Sequence, residues 1–489
     1  MRIKRFLSFL MAAAMAWTLI GCGGAAAAED GLSALNADAP AFDAEPEPES
    51  LPAFAAMFGA KQAARASAGE IAKAVYPQAP AYPKEEDYVS PNGAFDSEAY
   101  FEDYERWSDY AAARPDADEK DADALKAFFR DSAKQFLQGD GNRVYSPLNV
   151  YMALAMLSGL TAGRSLTQIL KALNAKSADA LGEQANRIWN ALYTDDGAST
   201  LLLGSSLWLN KTVSFNADTL EKLSKTFYAS AYSGEMGSRE FDAALQAWLN
   251  EQTRGLLSEQ ASGVKTAPET LLALAATIYF KANWHDQFNE AATKPDTFRA
   301  VGGDVQAPFM RQTYTGNYYK GKGFSAVYKP LRDSGMWLIL PDKGKTPADL
   351  LKNGAAMEFL SSAKKSGARS EIALSLPKFD VSADLDLIDG LKALGVTDVF
   401  DSANSDFSPM ITGSKGIEIG QAKHAARVKI DEEGCEAAAF TVMMAEATAA
   451  MERPPRVEFT LDRPFLFAVT SVQAGLPLFV GAVETPVGA

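Results

Sequence analysis

The stretch KIDEEGCEAAAFTVMMAEATAAM, residues 429–451, decides how the rest of the chain is interpreted. After Gly434 it continues to residue 451 in mostly small or apolar residues, with no glycine or proline. By intrinsic propensity the segment 437–451 favours a helix. Read with a period of two, however, it places both of its glutamates on one side of a strand and no charge on the other. A segment that is compatible with a helix, a loop or a buried strand is a candidate switch.

The two sides of such a strand differ in what they could bury. The uncharged side consists of Cys435, Ala437, Ala439, Thr441, Met443, Ala445 and Ala447. The other side consists of Glu436, Ala438, Phe440, Val442, Met444, Glu446 and Thr448. On local pattern alone an ordinary alanine-rich surface helix is favoured, so a wider comparison along the chain must decide between the two.

Two flanking runs supply that comparison. The run DEEGCEAAA at 431–439 resembles the hinge of the serpins, whose pattern is roughly E-x-G-T/S-E-A-A-A-A-T, and VEFTLDRPFLFAV at 457–469 resembles the strand pair that follows their reactive loop. The resemblance implies an α+β serpin fold with three β-sheets, about eight or nine helices and an exposed reactive-centre loop. The hinge residues that it implies are Glu432, Glu433, Gly434, Cys435, Glu436, Ala437, Ala438, Ala439, Phe440 and Thr441.

Other segments resemble the family in the same order, so that the resemblance covers 116–489. The run 144–170 is similar to the family's S-P-x-S-I-x-x-A-L-A-M pattern, and 277–288 is similar to I-Y-F-K-G-x-W-x-x-x-F. The resemblance places Ser146, Pro147 and His424 where the main sheet opens. We interpret His424 as a structural histidine with satisfied hydrogen bonds.

Three positions depart from the family pattern. Ala276 stands where an asparagine is usual under the opening sheet, and Ser375 stands where many members have a buried histidine. Each change is expected to remove a polar contact from the opening region. Cys435 replaces the usual threonine or serine of the hinge; a free thiol is small and packs as a weak hydrophobe.

The N-terminus has the features of a secretory signal. Residues 1–21 begin with basic residues, continue through an apolar run and end in Leu-Ile-Gly before Cys22. This ending resembles a bacterial lipoprotein box, which implies that Cys22 is lipidated and becomes the mature N-terminus. We therefore expect an extracytoplasmic protein, anchored by lipid to the cell envelope or surface or released from it.

Residues 22–115 differ from the body of the chain. Alanine, proline and acidic residues dominate the first half, which is typical of a solvated spacer, and 52–75 is compatible with a weak helix. The second half is rich in aromatic residues, and 96–113 is compatible with a helix that ends before Pro115. Two interpretations stay open for this half: a linker, or a lid docked on the domain at 116–489.

Composition limits the functions. The 489-residue chain is 47% hydrophobic and has a net charge of −15, which disfavours nucleic acid or a heparin-like polymer as a partner. Two cysteines exclude a disulfide framework. Motifs for metal ligation, phosphate binding or a catalytic triad are missing from the sequence. We therefore expect no catalytic residue, no metal and no cofactor, and a chain that is not an enzyme.

The resemblance implies an irreversible suicide inhibitor of peptidases that acts by loop cleavage, acyl-enzyme trapping and loop insertion into the central sheet. A non-inhibitory surface-binding or chaperone protein of the same fold is the alternative.

 The inhibitor is expected to be a monomer whose partner is a target peptidase, held in a covalent complex. Serine peptidases with elastase-like or subtilisin-like pockets are the expected targets, and papain-like cysteine peptidases are compatible with the same loop.

Two ways of counting place the reactive bond differently. In the family it usually lies fourteen residues after the hinge glycine, which gives the bond between Thr448 and Ala449. Counting back from Val457 gives the bond between Met451 and Glu452 instead. We favour the first count, because the length of chain before the cut sets how far an attached peptidase is carried. The small, uncharged residues around Thr448 suit elastase-like and subtilisin-like pockets.

Overall fold

The structure is a computed structural model that describes residues 69–115, 117, 119–197, 199–362, 365–411, 416–435, 454–472 and 475–486. All of these residues belong to one compact unit that begins at Ala55. Helices and strands are both abundant in it, and the predicted α+β class is confirmed. Among the described residues, no helix combines the length and the apolar character needed to cross a bilayer.

The described part of the chain contains eleven α-helices. They are α1 Ser97–Ala113, α2 Glu119–Phe136, α3 Pro147–Ser158, α4 Gly163–Ala172, α5 Ala178–Leu192, α6 Ala217–Phe227, α7 Arg239–Gln252, α8 Ser258–Ser262, α9 Pro347–Lys352, α10 Ala355–Ser361 and α11 Ile388–Ala393. Short 3-10 helices cover Glu85–Tyr88, Glu290–Ala292 and Asp398–Phe400.

Seventeen strands are found in the same residues. They are β1 Gly69–Ala72, β2 Arg143–Tyr145, β3 Thr194–Asp195, β4 Ser199–Asn210, β5 Ala229–Gly234, β6 Leu272–Asn283, β7 Lys294–Ala300, β8 Gly303–Gly321, β9 Phe324–Leu331, β10 Ser334–Pro341, β11 Ala368–Pro377, β12 Phe379–Asp386, β13 Lys423–Ile430, β14 Gly434–Cys435, β15 Arg456–Thr460, β16 Phe465–Ser471 and β17 Pro477–Val483.

The strands form two sheets. An eight-stranded sheet has the order β1-β5-β4-β6-β14-β13-β12, with β3 paired to β4. A nine-stranded sheet has the order β15-β11-β8-β9-β10-β16-β17-β2, with β7 paired to β8. The sequence predicted three sheets. Two of them are joined here because β8 is long enough to pair with β11 along one part and with β9 at its end.

Helix α3 lies at the centre of the core and explains how the two sheets are held together. Ser146 caps the helix by accepting a hydrogen bond from the Asn149 backbone N–H, and Pro147 occupies the first turn, where a missing N–H does no harm. Nearly every residue of α3 is buried. The helix packs against β6 of the eight-stranded sheet and β17 of the nine-stranded sheet.

The aromatic-rich segment before residue 116 lies against the rest of the unit. Strand β1 pairs antiparallel with β5 and becomes the edge of the eight-stranded sheet. The ring of Tyr76 stacks 5.9 Å from Trp189 and 5.5 Å from Tyr193. Helix α1 follows, over Ser97–Ala113, with Asp96 as its cap. The weak helix predicted over 52–75 is wrong for Gly69–Ala72, because those residues complete a sheet edge instead.

Candidate functional site

The candidate site lies where β14 enters the eight-stranded sheet between β6 and β13. Gly434 pairs with Asn283 of β6, and Cys435 pairs with Ala282 of β6 and with Ile430 of β13. A side chain at position 434 would place its Cβ 2.4 Å from the carbonyl oxygen of Ala282, so only glycine fits between these backbones. Cys435 is buried and its thiol is not in a disulfide.

The turn before β14 is held by the end of β6. The Trp284 backbone N–H donates to the Glu433 carbonyl (2.9 Å), and the Trp284 indole Nε1 donates to the Asp431 carbonyl (2.9 Å). The Asp431 carboxylate in turn accepts from the backbone N–H groups of Glu433 (3.1 Å) and Gly434 (3.3 Å). The hinge turn is thus fixed by hydrogen bonds on both of its sides.

Glu432 is the buried acid of this turn. Its carboxylate accepts a hydrogen bond from Thr293 Oγ1 (2.7 Å) and forms an ion pair with the Lys378 ammonium. Burial opposes ionisation, but the hydrogen bonds from Lys378 and Thr293 outweigh it, and the pKa of Glu432 lies below its ordinary value. The acid therefore stays charged and anchors the start of the hinge.

Lys329 is a buried cation next to this anchor, and sequence reasoning missed it. Its ammonium donates to the Asp286 carbonyl (2.8 Å) and to Gln312 Oε1 (2.6 Å), and it lies 5.2 Å from the ring centre of Trp284 and 4.7 Å from that of Phe288. Burial lowers the pKa of Lys329 to about 8. The signal that could have indicated a buried cation was a lysine within the mostly apolar strand FSAVYKPL.

Further along the same strands, the structure brings together the residues that were predicted to lie where the sheet opens. The Ser146 backbone N–H donates to His424 Nε2 (3.0 Å), and Pro147 follows at the start of α3. His424 is almost fully buried, and burial lowers its pKa to about 4, so the ring is neutral at neutral pH. That the sheet opens at this point stays a prediction.

The position of Ala276 corrects one expectation from the sequence. The Asn149 side-chain amide donates to the Ala276 carbonyl (3.2 Å) and lies 3.4 Å from His424 Nδ1. A polar contact is therefore kept here, supplied by the helix rather than by the strand. Ser375 lies in β11 of the nine-stranded sheet, and its buried hydroxyl has no hydrogen-bond partner among the residues that the structure describes.

Several predicted site residues lie outside the described residues, and their predictions stand as made. They are the lipidation residue Cys22, the hinge residues Glu436, Ala437, Ala438, Ala439, Phe440 and Thr441, and both versions of the reactive bond, Thr448–Ala449 and Met451–Glu452.

Comparison with known proteins gives a consistent result. The family model described as serpin (serine protease inhibitor) matches residues 123–486. Human leukocyte elastase inhibitor is 30% identical over 359 residues, covering 71% of this chain and 93% of the relative, and Serpin-ZX of Arabidopsis thaliana is 28% identical over 366 residues, covering 71% and 93%. The crystal structure of native tengpin, a thermophilic serpin, matches with a TM-score of 0.68 and 24% identity over 76% of this chain and 96% of that one.

Proposed function

This chain belongs to the serpin family, and we propose that it is an irreversible suicide inhibitor of serine peptidases. In the proposed reaction the serine hydroxyl of the peptidase attacks the carbonyl carbon of the reactive bond in the loop. An ester forms between the two proteins, and the peptide bond breaks with a proton passing to the leaving amine. The freed part of the loop then inserts into the eight-stranded sheet before water can hydrolyse the ester.

The observation that carries this proposal is that, among the described residues, β6 and β13 are not paired with each other directly. Cys435 of β14 pairs with both strands and Gly434 pairs with β6, and no other backbone pairing joins the two strands among the described residues. A new strand that continued from Cys435 would find hydrogen-bonding groups on both sides. Strand addition of this kind gains main-chain hydrogen bonds along its whole length.

The register of β14 fixes where each loop residue would go. Continued from the pair Cys435–Ala282, it brings Thr441 between Ala276 and His424 and brings Ala445 opposite Leu272, the first residue of β6. Because side chains alternate along a strand, the uncharged side that begins with buried Cys435 would face the core.

The same register is compatible with both predicted positions of the reactive bond. Residues 434–445 would pair along the whole length of β6, and three more would lead to the attached peptidase. A bond between Thr448 and Ala449 therefore leaves enough chain for complete insertion, as does a bond between Met451 and Glu452. The small residues at the first bond suit elastase-like or subtilisin-like peptidases, and the similarity to human leukocyte elastase inhibitor agrees with that class.

Location is a separate proposal, which rests on the signal-like residues 1–21 and on Cys22. We propose that a lipid on Cys22 holds the inhibitor on the outside of a bacterial cell, where it would meet foreign peptidases. The residues up to 68 would then act as the spacer between the lipid and the docked segment.

A non-inhibitory binding protein is the second candidate function. Human thyroxine-binding globulin is among the solved structures with this fold, with a TM-score of 0.64 and 22% identity. The fold alone therefore does not decide between inhibition and binding. The short side chains at Ala437, Ala439 and Thr441 favour the inhibitor, because large or charged residues there would obstruct insertion.

One experiment separates the two functions. The protein is mixed with an elastase-like or a subtilisin-like peptidase, and the products are examined on a denaturing gel and by mass spectrometry. An inhibitor gives a covalent band of high mass together with a released C-terminal fragment that begins at Ala449 or at Glu452. Clean cleavage of the loop with a fully active peptidase would instead favour the binding protein.

A further inference from the structure

Two aromatic residues of the N-terminal segment, residues 69–115, contact an arginine beside the C-terminal end of β6. The guanidinium of Arg332 lies 4.1 Å from the ring centre of Tyr82 and 5.6 Å from that of Trp107. The rings of Tyr82 and Trp107 meet edge to face, 5.0 Å apart. Both residues also bind Asp196: the Tyr82 backbone N–H donates to its carbonyl (2.7 Å), and the Trp107 indole donates to its carboxylate (2.8 Å).

The two residues that Tyr82 and Trp107 contact, Arg332 and Asp196, lie in turns of different sheets. Arg332 lies between β9 and β10 of the nine-stranded sheet, and Asp196 lies between β3 and β4 of the eight-stranded sheet. Asp196 is buried, and its carboxylate also accepts from the Ser199 backbone N–H (2.9 Å). The contacts of Tyr82 and Trp107 therefore tie one sheet to the other.

Both turns are bonded to the residues that receive the hinge. The Arg332 backbone N–H donates to the Asn283 carbonyl (2.9 Å), and Ser199 of the other turn pairs with Ala282. Asn283 and Ala282 are the residues of β6 that pair with β14. The N-terminal segment is thus connected to the β6 residues at the entry point of the hinge through Arg332 on one side and through Asp196 and Ser199 on the other.

We infer that Tyr82 and Trp107 are positioning residues that hold the end of β6 in place and slow the entry of a new strand. This inference rests on the proposed function. Admitting a strand requires β6 and β4 to move relative to β13 and to the turn that carries Arg332. Such a movement weakens the contacts of Tyr82 and Trp107 with either Arg332 or Asp196, so these contacts favour the unopened arrangement.

The chemistry of the contact predicts how single changes should act. A guanidinium stacks flat on an aromatic ring, whereas an ammonium has no plane to stack, so Arg332→Lys keeps the charge and weakens the contact. Trp107→Leu removes both the ring and the hydrogen bond to Asp196. If the residues act as one clamp, the effect of the two changes together is smaller than the sum of their separate effects.

The test measures how fast the sheet accepts a strand supplied from outside. A synthetic peptide with the sequence of residues 435–448 is added to the whole chain, and its incorporation is followed over time on a native gel. The variants are Trp107→Leu, Arg332→Lys and the double change. The matched control is Phe101→Ser, since Phe101 lies on the same helix, is half exposed and contacts Tyr100 rather than Arg332.

We expect each clamp variant to take up the peptide about fivefold faster than the wild type, which is the rate equivalent of one cation–π contact. The double variant should take up the peptide only slightly faster than either single variant, and Phe101→Ser should take it up at the wild-type rate. Arg332→Lys keeps the test decisive should Trp107→Leu fold poorly.

Two results would overturn the inference. Unchanged uptake in both Arg332→Lys and Trp107→Leu would show that the N-terminal segment does not restrain the sheet, and full additivity would show that the residues do not act together. The proposed function fails separately: a wild type that takes up no peptide and forms no covalent complex with peptidase would overturn inhibition, and this inference with it.

Discussion

Thr441→Arg is the substitution that tests strand insertion most directly. In the register continued from Cys435, residue 441 enters between Ala276 and His424. The surroundings there are nearly closed to solvent, since His424 is 3% exposed and Asn149 is 4% exposed. A guanidinium at this position would meet a neutral imidazole and an amide but no carboxylate from these residues. It would be a buried charge without a partner.

The expected magnitude follows from the burial. Moving an unpaired charge from water into such a site costs several kcal/mol of free energy. An increase of about 4 kcal/mol in the barrier to insertion corresponds to roughly a thousandfold lower rate. Hydrolysis of the ester would then win over insertion. We expect Thr441→Arg to be cleaved as a substrate, with almost no covalent complex on a denaturing gel after incubation with an elastase-like peptidase.

The matched control is Phe440→Arg, which adds the same charge one residue away. Because neighbouring residues of a strand face opposite sides, this arginine would stay on the outer face and the complex should still form in good yield. Equal yields of complex from wild type and Thr441→Arg would refute insertion in this register.

Three further predictions concern other parts of the molecule. Burial lowers the pKa of His424 to about 4, so the stability contributed by the neutral ring is complete above the ordinary histidine pKa of about 6.5 and is lost as the pH falls toward 4. Urea unfolding should therefore show about 2 kcal/mol less stability at pH 5 than at pH 7 from this group, a difference that is missing in His424→Gln. Asn149→Ala should lower the free energy of unfolding by about 1–3 kcal/mol, because it leaves the Ala276 carbonyl without its donor, and adding Ala276→Asn should restore part of the loss. Cys22→Ala should release the protein into the medium or leave it unprocessed, and a mature wild-type chain that starts elsewhere without lipid, by mass spectrometry, would contradict the anchor.

The hinge was predictable from the sequence because its chemistry is local. Gly434 is required by a close backbone approach, and Ser146 and Pro147 form a helix start that is recognisable from residue types alone. Their meeting with His424 was inferred only through family resemblance, since residues so far apart in sequence carry no local signal of contact.

Other features depend on tertiary pairing and could not be read from the sequence. Gly69–Ala72 forms a strand because the edge of β5 offers hydrogen bonds, which outweigh a weak local preference for helix. Asn149 takes over a polar contact that the pattern at Ala276 had suggested was lost, because the amide reaches across from the helix. The aromatic residues before 116 stand out in the sequence, but their partners Arg332 and Asp196 lie far along the chain and carry no local signal of the contact.

Strand β1 also limits how far the N-terminus of this protein can be truncated without destabilising the fold. The family match starts at residue 123, yet β1 lies well before it and covers the edge of β5. A chain shortened to the matched region would leave β5 as a bare edge, with unpaired N–H and C=O groups open to strands of other molecules. It would also uncover the aromatic rings on which Tyr76 stacks. For this protein we therefore expect the shortest stable unit to be longer than the region that the family model matches.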